Sequence, residues 1–165
     1  MASTSYKSRV IYKELVDQTD LKTVDFAGSY KLLCAMKSMG APVEAPNTVE
    51  STTNEDDAQT YEAGIKQTSA KEVKGNLETE YLENIEGLNG KRVAIMQLYG
   101  TDGLGGVAKY AYVGQVTATP SEVGGTDEML EMTATIIPNT VAKLVTNNYT
   151  IAESNGTFNV TKKGL

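Results

Sequence analysis

Polar and apolar residues alternate along three stretches of this chain, Lys71–Leu77, Val107–Thr119 and Met129–Ile137. A period of two places successive side chains on opposite faces of an extended backbone, so each stretch predicts a strand with one face inward. In the longest, Ala108, Tyr110, Tyr112, Gly114, Val116 and Ala118 share one face, and Lys109, Gln115, Thr117 and Thr119 lie on the other. In the third, Leu130, Met132, Ala134 and Ile136 point inward and Glu131, Thr133 and Thr135 outward. Arg92–Tyr99 is an apolar run of strand length. Ser29–Met36 reads as a strand covered on both faces, and Val10–Leu15 as a short strand or a helical turn.

The period changes to that of a helix once. Thr79 is a candidate N-cap for a helix over 80–88. Its apolar stripe is Tyr81, Leu82, Ile85 and Leu88, its wet side Glu78, Glu80, Glu83 and Glu86, and Asn89-Gly90 is its stop. Turns are expected at 23–28 and 124–127, and Pro120 should end the long strand. Asn155-Gly156, between Tyr149–Ala152 and Thr157–Thr161, is a strong short-range hairpin signal. These elements predict a mainly β fold, an antiparallel β-sandwich or barrel with one short flanking α-helix. Residues 1–28 form an arm with a first strand, and 29–165 the main β domain.

One stretch fits neither period. Ala45–Gln67 is polar, opens on a proline-flanked extended piece, and returns to strand-like sequence at Thr60-Tyr61. No Lys or Arg occurs between Lys37 and Lys66, whereas Glu44, Glu50, Glu55, Asp56, Asp57 and Glu62 do. Loops of this length in a domain are usually functional or disordered. With so little apolar surface, this one is expected to be mobile in an isolated subunit and to order on contact with a partner. The spacing Thr52-x-x-Glu55 predicts a single helical turn inside it.

Charge and composition narrow the chemistry. The formal net charge is -6, which argues against binding nucleic acid through a basic patch. There is no histidine, so the commonest general base and metal ligand are missing. The single cysteine, Cys34, lies in the apolar run Leu32–Met36 and reads as a buried hydrophobe. Asn54-Glu55-Asp56-Asp57 lacks the alternation and glycine of a calcium loop. Gly100–Gly106 (GTDGLGG) is neither a dinucleotide fingerprint nor a Walker A loop, and reads as a mobile surface loop. No enzyme, cofactor or metal site is expected. The N-terminal stretch has no apolar segment of the kind a secretory signal carries, and no apolar run reaches membrane-spanning length.

The order of parts carries a resemblance. A strand ends near Ala41-Pro42, followed by the acidic TVESTTNEDDAQTYEAG, the strand Ser69–Leu77, one helix at 80–88, the strand Arg92–Tyr99, the long strand with Tyr110-x-Tyr112-x-Gly114, and closing hairpins. Over residues 29–163 this resembles the major tail tube proteins of long-tailed bacteriophages, a fold shared with the inner tubes of contractile tails, phage-derived bacteriocins and type VI secretion. The resemblance implies hexameric rings stacked into a tube in the virion tail, assembled in the host cytoplasm. The partners it implies are further copies of the chain, the tape measure protein, the tail terminator and the baseplate or tail-tip proteins. Double-stranded DNA would pass through the lumen without specific binding, and no membrane would be involved. Thr52, Thr53, Asn54, Glu55, Asp56 and Asp57 would form an inter-ring contact. Two alternatives stand beside this reading. One is the tube protein of a bacteriocin or secretion device. The other is a monomeric β-sandwich binding module, which the absence of Trp and the presence of only two Phe disfavour.

Overall fold

A computed structural model describes residues 7–15, 24–44, 48–50, 53, 58, 61–63, 69–121, 123, 125–126 and 129–163. The strands are β1 (Arg9–Glu14), β2 (Gly28–Leu32), β3 (Met36–Met39), β4 (Thr48–Glu50), β5 (Tyr61–Ala63), β6 (Lys71–Asn76), β7 (Val93–Tyr99), β8 (Ala108–Pro120), β9 (Glu131–Pro138), β10 (Lys143–Leu144), β11 (Tyr149–Ser154) and β12 (Thr157–Lys162). The helix α1 (Thr79–Glu86) lies between β6 and β7. All strand pairs among the described residues are antiparallel, in one ten-stranded curled sheet of which nine follow the order β11-β12-β2-β1-β7-β8-β9-β6-β3 and the tenth, β10, pairs with β8, plus a separate ribbon of β4 with β5. The mainly β fold with one helix is therefore as predicted, built as a curled half-barrel rather than two separate sheets.

The alternation of β7 explains how one sheet holds two cores. Val93 and Ile95 point into a first core with Val10 and Tyr12 of β1, Tyr112 and Val116 of β8, and Met132, Ala134 and Ile136 of β9. Ala94, Met96 and Leu98 point the other way, into a second core with Ile11, Tyr30, Ala111, Phe158 and Val160. Strands β1 and β7 are thus covered on both faces, whereas β9 is covered only on the first-core side. Burying each such aliphatic side chain contributes about 1.5–3 kcal/mol. The helix closes the first core with Ile85, joined by Leu88 of the turn that follows it, while Tyr81 and Leu82 pack at its margin.

Strand β8 has two partners along one edge. Residues 108–114 pair with β7 on one side. On the other side β9 takes 114–120 and β10 takes Tyr110 and Ala111. Gly114 sits at the changeover, where a Cβ would lie 2.7 Å from the carbonyl oxygen of Ile137.

Several expectations change. The span 29–36 is two strands, broken at Leu33–Ala35, because the chain there crosses over Gly75 so closely that no Cβ fits beneath the backbone of Ala35. Thr79 is not the N-cap: it is the first helical residue, and the extended Glu78 caps without a side-chain hydrogen bond. The helix ends at Gly87 instead of Asn89-Gly90, although turns continue to Gly90, whose φ is +76°. Leu130 is exposed because β9 starts one residue later. Pro120 is the last residue of β8, and Val10–Leu15 resolves as a strand. The hairpin at Asn155-Gly156 has both residues at positive φ, 51° and 80°, as a tight two-residue turn requires.

Candidate functional site

The segments on either side of the acidic span are held together by polar contacts. The two ends of the span form the β4–β5 ribbon, with Thr48 opposite Ala63 and Glu50 opposite Tyr61. Thr53 lies just beyond the ribbon and is exposed. Thr52, Asn54, Glu55, Asp56 and Asp57, with the helical turn expected among them, lie outside the described residues. In the segments that flank the span, Gly40–Glu44 faces Ser69–Glu72 across an open groove of about 480 Å³. The Ser69 hydroxyl donates to the Glu44 carboxylate. The Gly40 N–H donates to the Glu72 carbonyl at 3.0 Å.

Two buried polar side chains underpin these contacts, and the alternation did not mark either as special. Lys71, on the inward face of β6, is 4% exposed, and its Nζ lies 5.8 Å from the centre of the Tyr112 ring. Burial lowers its pKa, and the Glu44 carboxylate opposes that shift. Gln97 Nε2 donates to the Gly40 carbonyl at 2.9 Å, tying β7 to the turn that enters the ribbon. Gln97 Oε1 and the Tyr112 hydroxyl are buried with no hydrogen-bond partner among the described residues.

Among the described residues the sheet also presents an uncovered face. Opposite the first core, Gln115, Thr117 and Thr119 of β8 stand beside Ile137, Thr135 and Thr133 of β9. Thr135 and Thr133 stand beside Glu72 and Lys74 of β6. All are exposed or half-exposed. Lys37 reaches Glu131 at 2.8 Å on this face, and this pairing, with Lys74 nearby, lowers the Glu131 pKa. Hydroxyls dominate, and the charges of Glu72, Glu131, Lys37 and Lys74 balance. At the sheet's margins, β3 and β11 each have one strand partner among the described residues, leaving one edge of each unpaired.

The glycine-rich loop carries hydrogen bonds of its own. Asp102 Oδ1 accepts the N–H groups of Leu104 at 3.0 Å and Gly106 at 3.1 Å, and these bonds hold its pKa down. Gly103 packs against the Arg9 guanidinium. Cys34 is buried as expected, and burial pushes its thiol up to about 11, which makes it a poor nucleophile. Among the described residues no three His, Cys, Asp or Glu side chains converge to hold a metal ion.

No protein-family model matches the sequence, and no curated protein matches it significantly. Solved structures do match. A chain of the sheath-tube complex of an extracellular contractile injection system, PVC, in its extended state superposes with a TM-score of 0.50 at 12% identity, covering 87% of this chain and 90% of that one. The fold is tail-tube-like. A chain of the anti-feeding prophage baseplate superposes at 0.49 with 9% identity, covering 87% of this chain and 95% of that one. At these identities the likeness concerns the path of the backbone.

Proposed function

We propose that this protein is a structural subunit of a phage-type tail tube, assembling as stacked hexameric rings that conduct DNA. The observation that carries this reading is the open curled sheet, whose edge at β3 adjoins a hydroxyl-rich face uncovered among the described residues and whose opposite margin, β11, has a second unpaired edge among them. An exposed strand edge is a template for another chain, and ring closure removes it. The Thr117, Thr119, Thr133 and Thr135 face suits the wall of a conduit, because balanced charge neither holds nor strongly repels a polyanion. Thr52–Asp57, in the chain between β4 and β5, would reach the next ring. The tape measure, terminator and baseplate or tail-tip proteins are the partners of such a tube, with the virion tail as its place and no catalytic role.

A bacteriocin or injection-device tube is the second reading. It draws support from the injection-system complex that the fold matches. Capsid and terminase genes beside this one would favour the phage, and their absence the device. Light scattering and electron microscopy across a concentration series test the common part. Rings or tubes are expected as concentration rises, and a chain that stays monomeric at millimolar concentration would refute it, leaving the monomeric binding module.

A further inference from the structure

Strand β8 runs about 40 Å at ~3.3 Å per residue, and its two ends differ in chemistry. At the Pro120 end, β9 begins and α1 starts: the Leu77 N–H donates to the Leu130 carbonyl at 3.0 Å, and the Ser121 N–H to the Glu131 carbonyl at 2.9 Å. Here Val123 is 74%, Met129 70% and Leu130 54% exposed. Glu78 and Glu80 are exposed beside them and make no ion pair among the described residues, while nearby Lys37 and Lys74 are drawn to Glu131.

At the Ala108 end, Val107 and Leu144 are each 59% exposed. The Val145 N–H donates to the Lys109 carbonyl at 2.7 Å and the Lys163 N–H to the Asn148 carbonyl at 2.8 Å, which gathers Lys143, Lys162 and Lys163 around this end. All three lysines are exposed, and none is in an ion pair among the described residues. Asp102, the acid beside Lys109, is already committed to the N–H groups of Leu104 and Gly106. On a chain of net charge -6 this is a local basic surface.

We infer that these two ends meet head to tail: the apolar, acidic end around Met129 of one copy seats on the apolar, basic end around Leu144 of another. The partner is a second copy because each end supplies the charge the other lacks, and both offer apolar side chains to bury. A contact between unlike patches is heterologous, and placed at opposite ends of β8, where its rotation does not close a ring, it propagates, which is what stacking requires. This inference rests on the tube reading and adds an axial contact distinct from Thr52–Asp57.

Cysteine pairing tests it in the full chain, since buried Cys34 is a poor reactant. Oxidised assemblies of Met129→Cys/Leu144→Cys are expected to give a ladder of covalent multimers on a denaturing gel, and each single variant only monomer. In parallel, Lys143→Glu/Lys163→Glu and Glu78→Lys/Glu80→Lys should each raise the concentration needed for tubes at least tenfold while rings persist. Mixing the two variants should restore co-assembly. Dimers from a single-cysteine variant, a monomeric double-cysteine variant in intact tubes, or unimpaired elongation of both charge variants would each overturn the contact and leave the tube reading standing. A wild-type chain that forms neither rings nor tubes would overturn both.

Discussion

Replacing Gly75 with alanine perturbs one contact in a way that can be worked out in advance. Gly75 lies in β6 on the first-core side, under the backbone of Ala35 and within 3.1 Å, from its would-be Cβ, of Cys34 Sγ. Its φ is ordinary, so alanine is strained by space alone. Where space is open, glycine to alanine stabilises by about 0.4–1 kcal/mol through the unfolded chain. Here the added methyl must push the Leu33–Ala35 crossing away from β6, and overpacking of this kind costs about 1–3 kcal/mol. A net loss of about 1–2 kcal/mol follows, which at a urea slope of about 2 kcal/mol/M lowers the midpoint by roughly 0.5–1 M. Urea unfolding of the subunit, kept dilute so that assembly does not contribute, measures this. Gly125→Ala is the control, since its Cβ meets nothing within 4 Å and its φ is not positive. If Gly75→Ala matches or exceeds Gly125→Ala in stability, the close crossing does not constrain the fold as argued.

The remaining predictions concern buried polar groups and assembly. Tyr112→Phe removes a buried hydroxyl without a hydrogen-bond partner among the described residues and should raise stability by about 0.5–2 kcal/mol; a loss in thermal unfolding would show that the hydroxyl is satisfied by bound water. The Cys34 thiol is raised to about 11, so burying it neutral contributes stability that is complete below pH about 9 and lost as pH rises towards 11; Cys34→Ala should flatten that part of the alkaline stability profile. Deleting Ser51–Ala58 should leave a folded monomer that no longer polymerises, and normal tubes by microscopy would remove this segment from assembly. Titration with duplex DNA at low salt, where electrostatic attraction is greatest, should show no binding as tight as micromolar; a tighter constant would point to a basic groove created on assembly.

What the amino-acid pattern revealed depended on how far apart in the chain the cause lay. β6, β8, β9 and the β11–β12 hairpin were legible because their alternation or turn chemistry is local, down to the inward Val73, Tyr112, Met132 and Ile136. β3 escaped notice because Met-Lys-Ser-Met has no alternation and carries a register shift between Met36 and Ser38. β1 was ambiguous because Val10, Ile11 and Tyr12 are buried on both faces, which erases the period. Lys71 stood in the inward row of its strand, yet its burial depends on the facing Gly40–Glu44 segment and Tyr112, contacts no window along β6 contains. For the assembly surfaces the acidic span was visible as a composition break. The outward threonines of β8 and β9 were visible too, but not that they stand side by side on one bare face, since the pairing of these strands and the side that stays bare are decided by distant parts of the sheet.

The pairing of β12 with β2 has a consequence for how the chain comes to be folded. Ser29 meets Asn159, 130 positions later. The neighbouring β7, β8 and β9 follow one another in sequence and can pair early, because closing short loops costs little entropy. β2 has to wait. Until Thr157–Lys162 arrives, its outer edge is bare and Tyr30, Met96 and Leu98 lack the cover of Phe158 and Val160. A chain that lacks β12 would carry an adhesive flank, so truncation before Thr157 is expected to yield a species that aggregates instead of a shorter competent subunit.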